Sequence, residues 1–301
     1  MAPVPTSTST LSSPSSESVN VIETLKANLR RKTFKSTAAI AAVPLFADKY
    51  EEREFLKFRL AQAFRIFGKL GYDEGAAGHI TVTDPIKTNC FWLNPLGLHF
   101  SLVQPSDLIL VDFDGNIMEE SGHFHEGVLN VPAFYLHSAI HKARPGMLCA
   151  AHCHSLYGRA FSALGCELDM ITQDTCVFYN DHTIYKNFNG TVKDVEEGIR
   201  IAECLGNRKA AILENHGLLV AADSIEAAVY YFMGLEKACQ VQLLADAAAI
   251  GRGHPTVKIS EAECIDTYEV VGHSKGGWFN GLPQFQLLEV QEGVRFEYKR
   301  D

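Results

Sequence analysis

Residues 224–250, SIEAAVYYFMGLEKACQVQLLADAAAI, read as one long helix that is apolar around most of its circumference. Ala227 through Met233 and then Leu235 follow with almost no polar break. A surface helix of a monomer keeps one polar face, so this stretch must be covered on both sides. A sheet of the same chain supplies part of that cover. The remaining area, with the aromatic tail around Trp278, Phe279 and Phe285, exceeds what a compact monomer leaves wet. Closed symmetric association is the common solution, so a homo-oligomer is expected.

The rest of the chain alternates loosely between helical and extended patterns. In 48–70, Phe55, Phe58, Leu60, Ala63, Phe64 and Phe67 recur at helical spacing, with Gly71 as the left-handed stop. Short β-branched and aromatic runs follow: HITVT, CFWLN and DLILVD, the last turning through FDGN as a hairpin does. Helices are expected at 131–143 and 194–205, and strands at 147–152, 210–214 and 217–221. This order predicts an α/β fold, a mixed sheet between helical layers. The Ser/Thr/Pro-rich residues 1–47 read as a disordered or extended tail and 48–250 as the domain. Residues 251–301 read as an extension, a loop followed by a docking tail on the domain or on a neighbouring subunit.

Composition narrows the function. A net charge of −9 without a lysine/arginine block excludes a nucleic-acid or anionic-membrane surface, leaving a small-molecule substrate or a second copy as partner. No apolar run is long enough for a membrane span. The 8 cysteines are scattered rather than densely spaced, which reads as reduced thiols in a cytoplasmic setting.

The chemistry is concentrated in LCAAHCHSLYG, 148–158. On an extended strand, residues two apart share a face, so His152 and His154 project together while Cys153 points away. A bare HxH pair is weak evidence. In AAILENHGLLVA, however, His216 stands in a polar tripeptide between two apolar runs, and it supplies a third imidazole. Three neutral imidazoles leave a fourth coordination position open for water or substrate, as catalytic zinc sites require.

The order of GYDEGAAGHITV, FWLNPLG, DLILVDFDGNI, HSAIHKARPGMLCAAHCHS and ENHGLLV resembles the class II aldolase/adducin family over roughly residues 50–250. The resemblance implies a three-layer α/β/α fold with a central, mostly antiparallel sheet, assembled as a homotetramer with sites near subunit interfaces. It also implies zinc on His152, His154 and His216, with Fe2+ or Mn2+ as the alternatives.

The departures from the family pattern are as informative. The family's glutamate base, nineteen residues before the first histidine of the pair, falls on Ala133, which cannot move a proton. Its phosphate-gripping pairs fall on Gly78-His79, Leu96-Gly97 and Val131-Pro132, where polar donors have become apolar or imidazole. A phosphorylated sugar is thus disfavoured, and Gly78, His79 and Gly97 are expected to contact a different substrate. His79 and Glu214 are the candidate catalytic groups. Glu214 shares the face of His216 if that segment is extended, as base or extra ligand; otherwise it is a solvated strand-end carboxylate. His137 and His141, four apart on a helix, have metal-binding spacing but read as a polar stripe. His123 and His125 read as loop or lid residues. The expected activity is a metal-dependent lyase using a stabilised enolate for aldol cleavage, decarboxylation or dehydration of a non-phosphorylated carbonyl or hydroxy acid. An Fe(II) oxidative decarboxylase and a non-catalytic adducin-like interaction protein are the alternatives.

Overall fold

Asp48 starts the first helix: its carboxylate accepts the N–H of Tyr50, and Gly71 ends the helix in the left-handed conformation. In the computed structural model, which describes residues 43–122, 129–190, 192 and 194–298, this helix is α1 (Lys49–Leu70). It is followed by β1 (His79–Thr83), β2 (Cys90–Leu93), β3 (Ile109–Asp112), α2 (Val131–Ala143), β4 (Cys149–Cys153) and α3 (Leu156–Ser162). Then come β5 (His182–Tyr185), α4 (Val195–Leu205), β6 (Ala210–Leu213), β7 (Gly217–Ala222), α5 (Ile225–Arg252), α6 (Glu261–Val271) and α7 (Ser274–Glu292). The described residues from Leu45 onward form one compact unit. The expected readings of the tail, and of His123 and His125, lie outside the described residues.

The strands form one seven-stranded sheet, ordered β3-β2-β1-β4-β7-β6-β5. Every pairing is antiparallel except β5 with β6, so the sheet is mostly antiparallel as the resemblance implies. Strand alternation sorts the core into two sides. Ile80, Val82, Cys149, Ala151 and Cys153 face a cluster with α1, α5 and α7. Ala150, Ala211, Leu219 and Ala221 face α2 and α4. The odd-numbered residues of β1 and the even-numbered ones of β4 therefore point toward α2, which decides where the histidines go.

Beyond residue 250 the expected loop is present at 253–260, and the segment after it, expected as a docking tail, takes the form of two helices. Glycines and Pro283 disguise α7 in the sequence. Those glycines are packing devices: a Cβ on Gly281 would lie 2.2 Å from the Glu226 carbonyl oxygen, so α7 rides directly on the α5 backbone. Phe285 and Trp278 are buried there, and Arg59–Glu289 and Arg65–Glu292 ion pairs fasten α7 to α1. Lys209 donates from Nζ to the carbonyls of Val177 and Gly272 and pairs with Asp181, holding the α6–α7 junction. The apolar start of α5 is thus covered within one chain. What remains exposed is its distal half, with Leu244 at 63% and Ile250 at 83%. Among the described residues, no helix is long and apolar enough to cross a membrane.

Candidate metal centre

The end of β4 delivers two imidazoles. His152, its fourth residue, is buried and points to the α2 side. Its Nδ1–H donates to the Leu218 carbonyl at 2.9 Å, which fixes the tautomer and leaves Nε2 with a free lone pair. His154 follows just beyond the strand.

His216 arrives from the β6–β7 hairpin. The turn is tight: the His216 N–H donates to the Leu213 carbonyl at 3.0 Å, and Asn215 has φ 55. Asparagine is among the side chains that tolerate the left-handed region. Gly217 is required by contact, since a Cβ there would lie 2.6 Å from the Cys153 carbonyl oxygen. Asn-His-Gly is therefore a shape requirement that presses the hairpin onto β4 and aims His216 at the pair.

The three rings converge. Centroid separations are 5.1 Å for His152–His154, 4.7 Å for His152–His216 and 4.8 Å for His154–His216, with interplanar angles of 75°, 70° and 71°. A ligand atom from each lies within 4.8 Å of the other two. Burial, then the neighbouring rings His216 and His154, hold His152 well below the usual imidazole range. Burial and then His154 lower His216 to about 4. His154 is lowered by burial first and by Arg159 next, with Glu74 opposing. All three are neutral at pH 7, with lone pairs available. This donor set fits a tetrahedral ion of the zinc type with one open position. Cys153 turns to the opposite side, is fully buried, and burial pushes its thiol well above the ordinary range.

A cavity of about 280 Å³ opens over the imidazoles. Its remaining walls are the 76–78 backbone, His79, Asn130, Pro132, Ala133, Leu136 and Val192. Among the described residues, no lysine, arginine or hydroxyl side chain lines it. His79 opens β1 directly across from His152, is 2% exposed, and has its Nε2 buried without a partner. Burial first, then His154, lowers it to about 3, so it is a neutral imidazole at the cavity wall. Gly78 has φ 96 and passes so close to β4 that a Cβ would sit 3.0 Å from Cys153 Sγ. A larger cleft of about 330 Å³ lies against α5 and α7, but it contains no group of ligating side chains.

Two expected positions fall elsewhere. Gly97 is exposed, with φ 83, in a turn that does not line the cavity. Glu214 lies in the β6–β7 turn rather than on an extended segment and is not among the described residues lining this cavity; its Oε1 lies over Gly165, 2.9 Å from where a Cβ would stand, and it borders a second, small pocket together with His216. His137 and His141 do share a helix face, but a buried one: both bond Thr81 Oγ1 at 2.8 Å. Sequence reasoning missed the Leu218 carbonyl, which no side-chain pattern announces. It also missed Glu236, whose signal was a charge inside the almost unbroken apolar stretch of α5.

The chain has relatives among known proteins. The chain is 44% identical over 206 residues to the decarboxylase NovR of Streptomyces niveus, covering 68% of this chain and 75% of that protein. It is 43% identical over 206 residues to a 4-hydroxy-3-prenylphenylpyruvate oxygenase/4-hydroxy-3-prenylbenzoate synthase of Streptomyces roseochromogenus, covering 68% and 73%. A solved structure described as L-fuculose 1-phosphate aldolase from Glaciozyma antarctica superposes with a TM-score of 0.78 at 43% identity, covering 86% of this chain and 98% of that one. The family model of the class II aldolase and adducin N-terminal domain matches residues 58–243, spanning every strand and the three converging imidazoles: the chain belongs to the class II aldolase and adducin family.

Proposed function

We propose that the protein is a metal-dependent lyase acting on a non-phosphorylated carbonyl or hydroxy acid with an apolar substituent. The reading is carried by one observation: three neutral imidazoles converge on a cavity whose other described walls are apolar apart from His79 and Asn130. His152, His154 and His216 would hold a divalent ion, Zn2+ in first place and Fe2+ or Mn2+ as alternatives. When bound, the ion supplies Lewis-acid stabilisation of the negative charge that develops on a substrate oxygen.

The chain's own residues set what enters. Pro132, Ala133, Leu136 and Val192 exclude water and favour an alkyl or aryl group. Among the described lining residues, no cation offers a phosphate its usual partner. His79 presents an uncharged ring that donates or accepts one hydrogen bond. Glu214 remains the candidate base of the sequence reading, and its position over Gly165 weighs against that role. The second reading is an Fe(II)-dependent oxidative decarboxylase on the same imidazoles. It is favoured by the name of the S. roseochromogenus relative, an oxygenase of an aryl pyruvate.

Metal analysis of protein purified without added metal separates the two readings, with zinc expected for the lyase and iron for the oxygenase. Aryl and alkyl 2-oxo acids and aldols are then assayed beside L-fuculose 1-phosphate. Turnover of the former alone is the expected result; turnover of the sugar phosphate overturns the substrate reading.

A further inference from the structure

We infer that Glu236 of α5 is the positioning residue of the metal centre, pinning the backbone that follows His154. This inference rests on the metal reading above. Glu236 lies in the core at 5% exposure, where a carboxylate needs compensation. Its partners come from one place. Oε1 accepts the Tyr157 N–H at 2.8 Å, and Oε2 accepts the Gly158 N–H at 2.7 Å and the Ser155 hydroxyl. Ser155 is the N-cap of α3, yet its hydroxyl makes no capping bond to its own helix. The first-turn N–H groups that a cap normally satisfies are satisfied instead from another element.

Ser155 is the residue after His154, so the three bonds clamp the chain where it leaves the second ligand. The clamp also reaches the first ligand. Gly158 lies against Leu218 so closely that a Cβ would meet the Leu218 side chain at 2.5 Å, and the Leu218 carbonyl orients the His152 ring. One carboxylate therefore fixes α3 against β7, and α3 and β7 between them set two of the three imidazoles. A glutamine in its place keeps a single acceptor oxygen and presents an NH2 group to an N–H donor, so at least one bond is lost.

The test uses the full chain titrated with Co2+, whose visible d–d absorption reports coordination geometry. For Glu236→Gln the dissociation constant is expected to rise roughly ten- to a hundredfold, with an altered d–d band. Ser155→Ala removes one of the three donors and is expected to weaken Co2+ binding several-fold. Glu226→Gln is the control: that residue is on the same helix, equally buried, and paired with Arg59 at 3.3 Å away from the imidazoles. It is expected to lower thermal stability and leave affinity and spectrum unchanged. Wild-type affinity and spectrum in Glu236→Gln, or in Ser155→Ala if the first variant fails to fold, overturn the inference alone. A Glu226→Gln spectrum displaced as far as that of Glu236→Gln also overturns it, by reducing the effect to general loosening. Wild-type protein that binds no Co2+ overturns the metal reading and this inference together.

Discussion

His79 and His152 are direct partners across the β1–β4 ladder, both buried and both on the α2 side, yet only His152 belongs to the converging triad. Their shared face makes them easy to confuse and easy to separate. His152→Ala is expected to bring metal content well below a single ion per chain, whereas His79→Ala leaves it unchanged. Elemental analysis of the two purified variants checks this. Full occupancy in His152→Ala would remove that residue from the site.

Behind His79, His137 and His141 add to the pH dependence of the metal-free protein. Thr81 Oγ1 lies between them, Phe91 stacks on His141, and His79 is the ring next to His137. Burial holds His137 well below the ordinary imidazole range and His141 at about 3. Their folded values are depressed, so the unfolded chain takes up protons first. The stability they permit is complete above about pH 6.5 and is lost as pH falls toward 3, by ~1.4 kcal/mol per pH unit for each ring. Urea unfolding of the metal-free protein between pH 7 and 4 should show a slope to which these two rings contribute alongside His79, His152, His154 and His216. His141→Phe should reduce it by a single ring's share, and an unchanged slope would exclude His141 as a contributor.

Gly217 and Gly97 offer a matched pair. A Cβ on Gly217 meets the Cys153 carbonyl oxygen at 2.6 Å and His154 Cδ2 at 3.4 Å, whereas a Cβ on Gly97 meets nothing within 4 Å. Gly217→Ala is expected to destabilise the fold by about 1–3 kcal/mol and weaken metal binding, since β7 must back away from β4. Gly97→Ala incurs only the positive-φ penalty, about 1–2 kcal/mol, with metal affinity intact. Denaturant midpoints and a metal titration on both variants distinguish the outcomes.

Assembly should follow the distal half of α5 rather than its start. Leu244, Ile250 and, just beyond the helix, Val257 are exposed at 63%, 83% and 85%. A homo-oligomer, most simply a tetramer, is expected by light scattering at micromolar concentration, and Leu244→Glu with Ile250→Glu should lower its mass. A monomeric wild-type mass would refute the assembly.

Much of the architecture was legible because its signals are local. The phenylalanines of α1 keep helical spacing, the runs of β1–β3 alternate or fill short spans, and Asn-His-Gly carries its turn in its composition. What stayed hidden is contact-dependent. α7 contains Gly276, Gly277, Gly281 and Pro283, which argue against a helix until α5 is present to receive Gly277 and Gly281. β5 is a four-residue edge strand recognisable only by its pairing with β6. For Glu214 the premise of an extended chain fails, because Glu214 and His216 sit in a turn around Asn215, whose φ is positive. Likewise, His137 and His141 read as a polar surface from spacing alone, and only Thr81 on the facing strand explains why they are buried.

The register that sets Leu218 and Leu219 against Cys153 and His152 also orders events in time. During synthesis β4 emerges well before β7, and α3, β5, α4 and β6 lie between them. The imidazoles can meet only after this non-local pair has closed, a step that contributes to slow folding in sheet proteins. An ion held by all three therefore cannot template early collapse. Such an ion would bind a finished sheet and then draw the population toward the native state by mass action. In a cell short of metal, such a chain would accumulate as a folded but more fragile apoprotein, awaiting its ion rather than its fold.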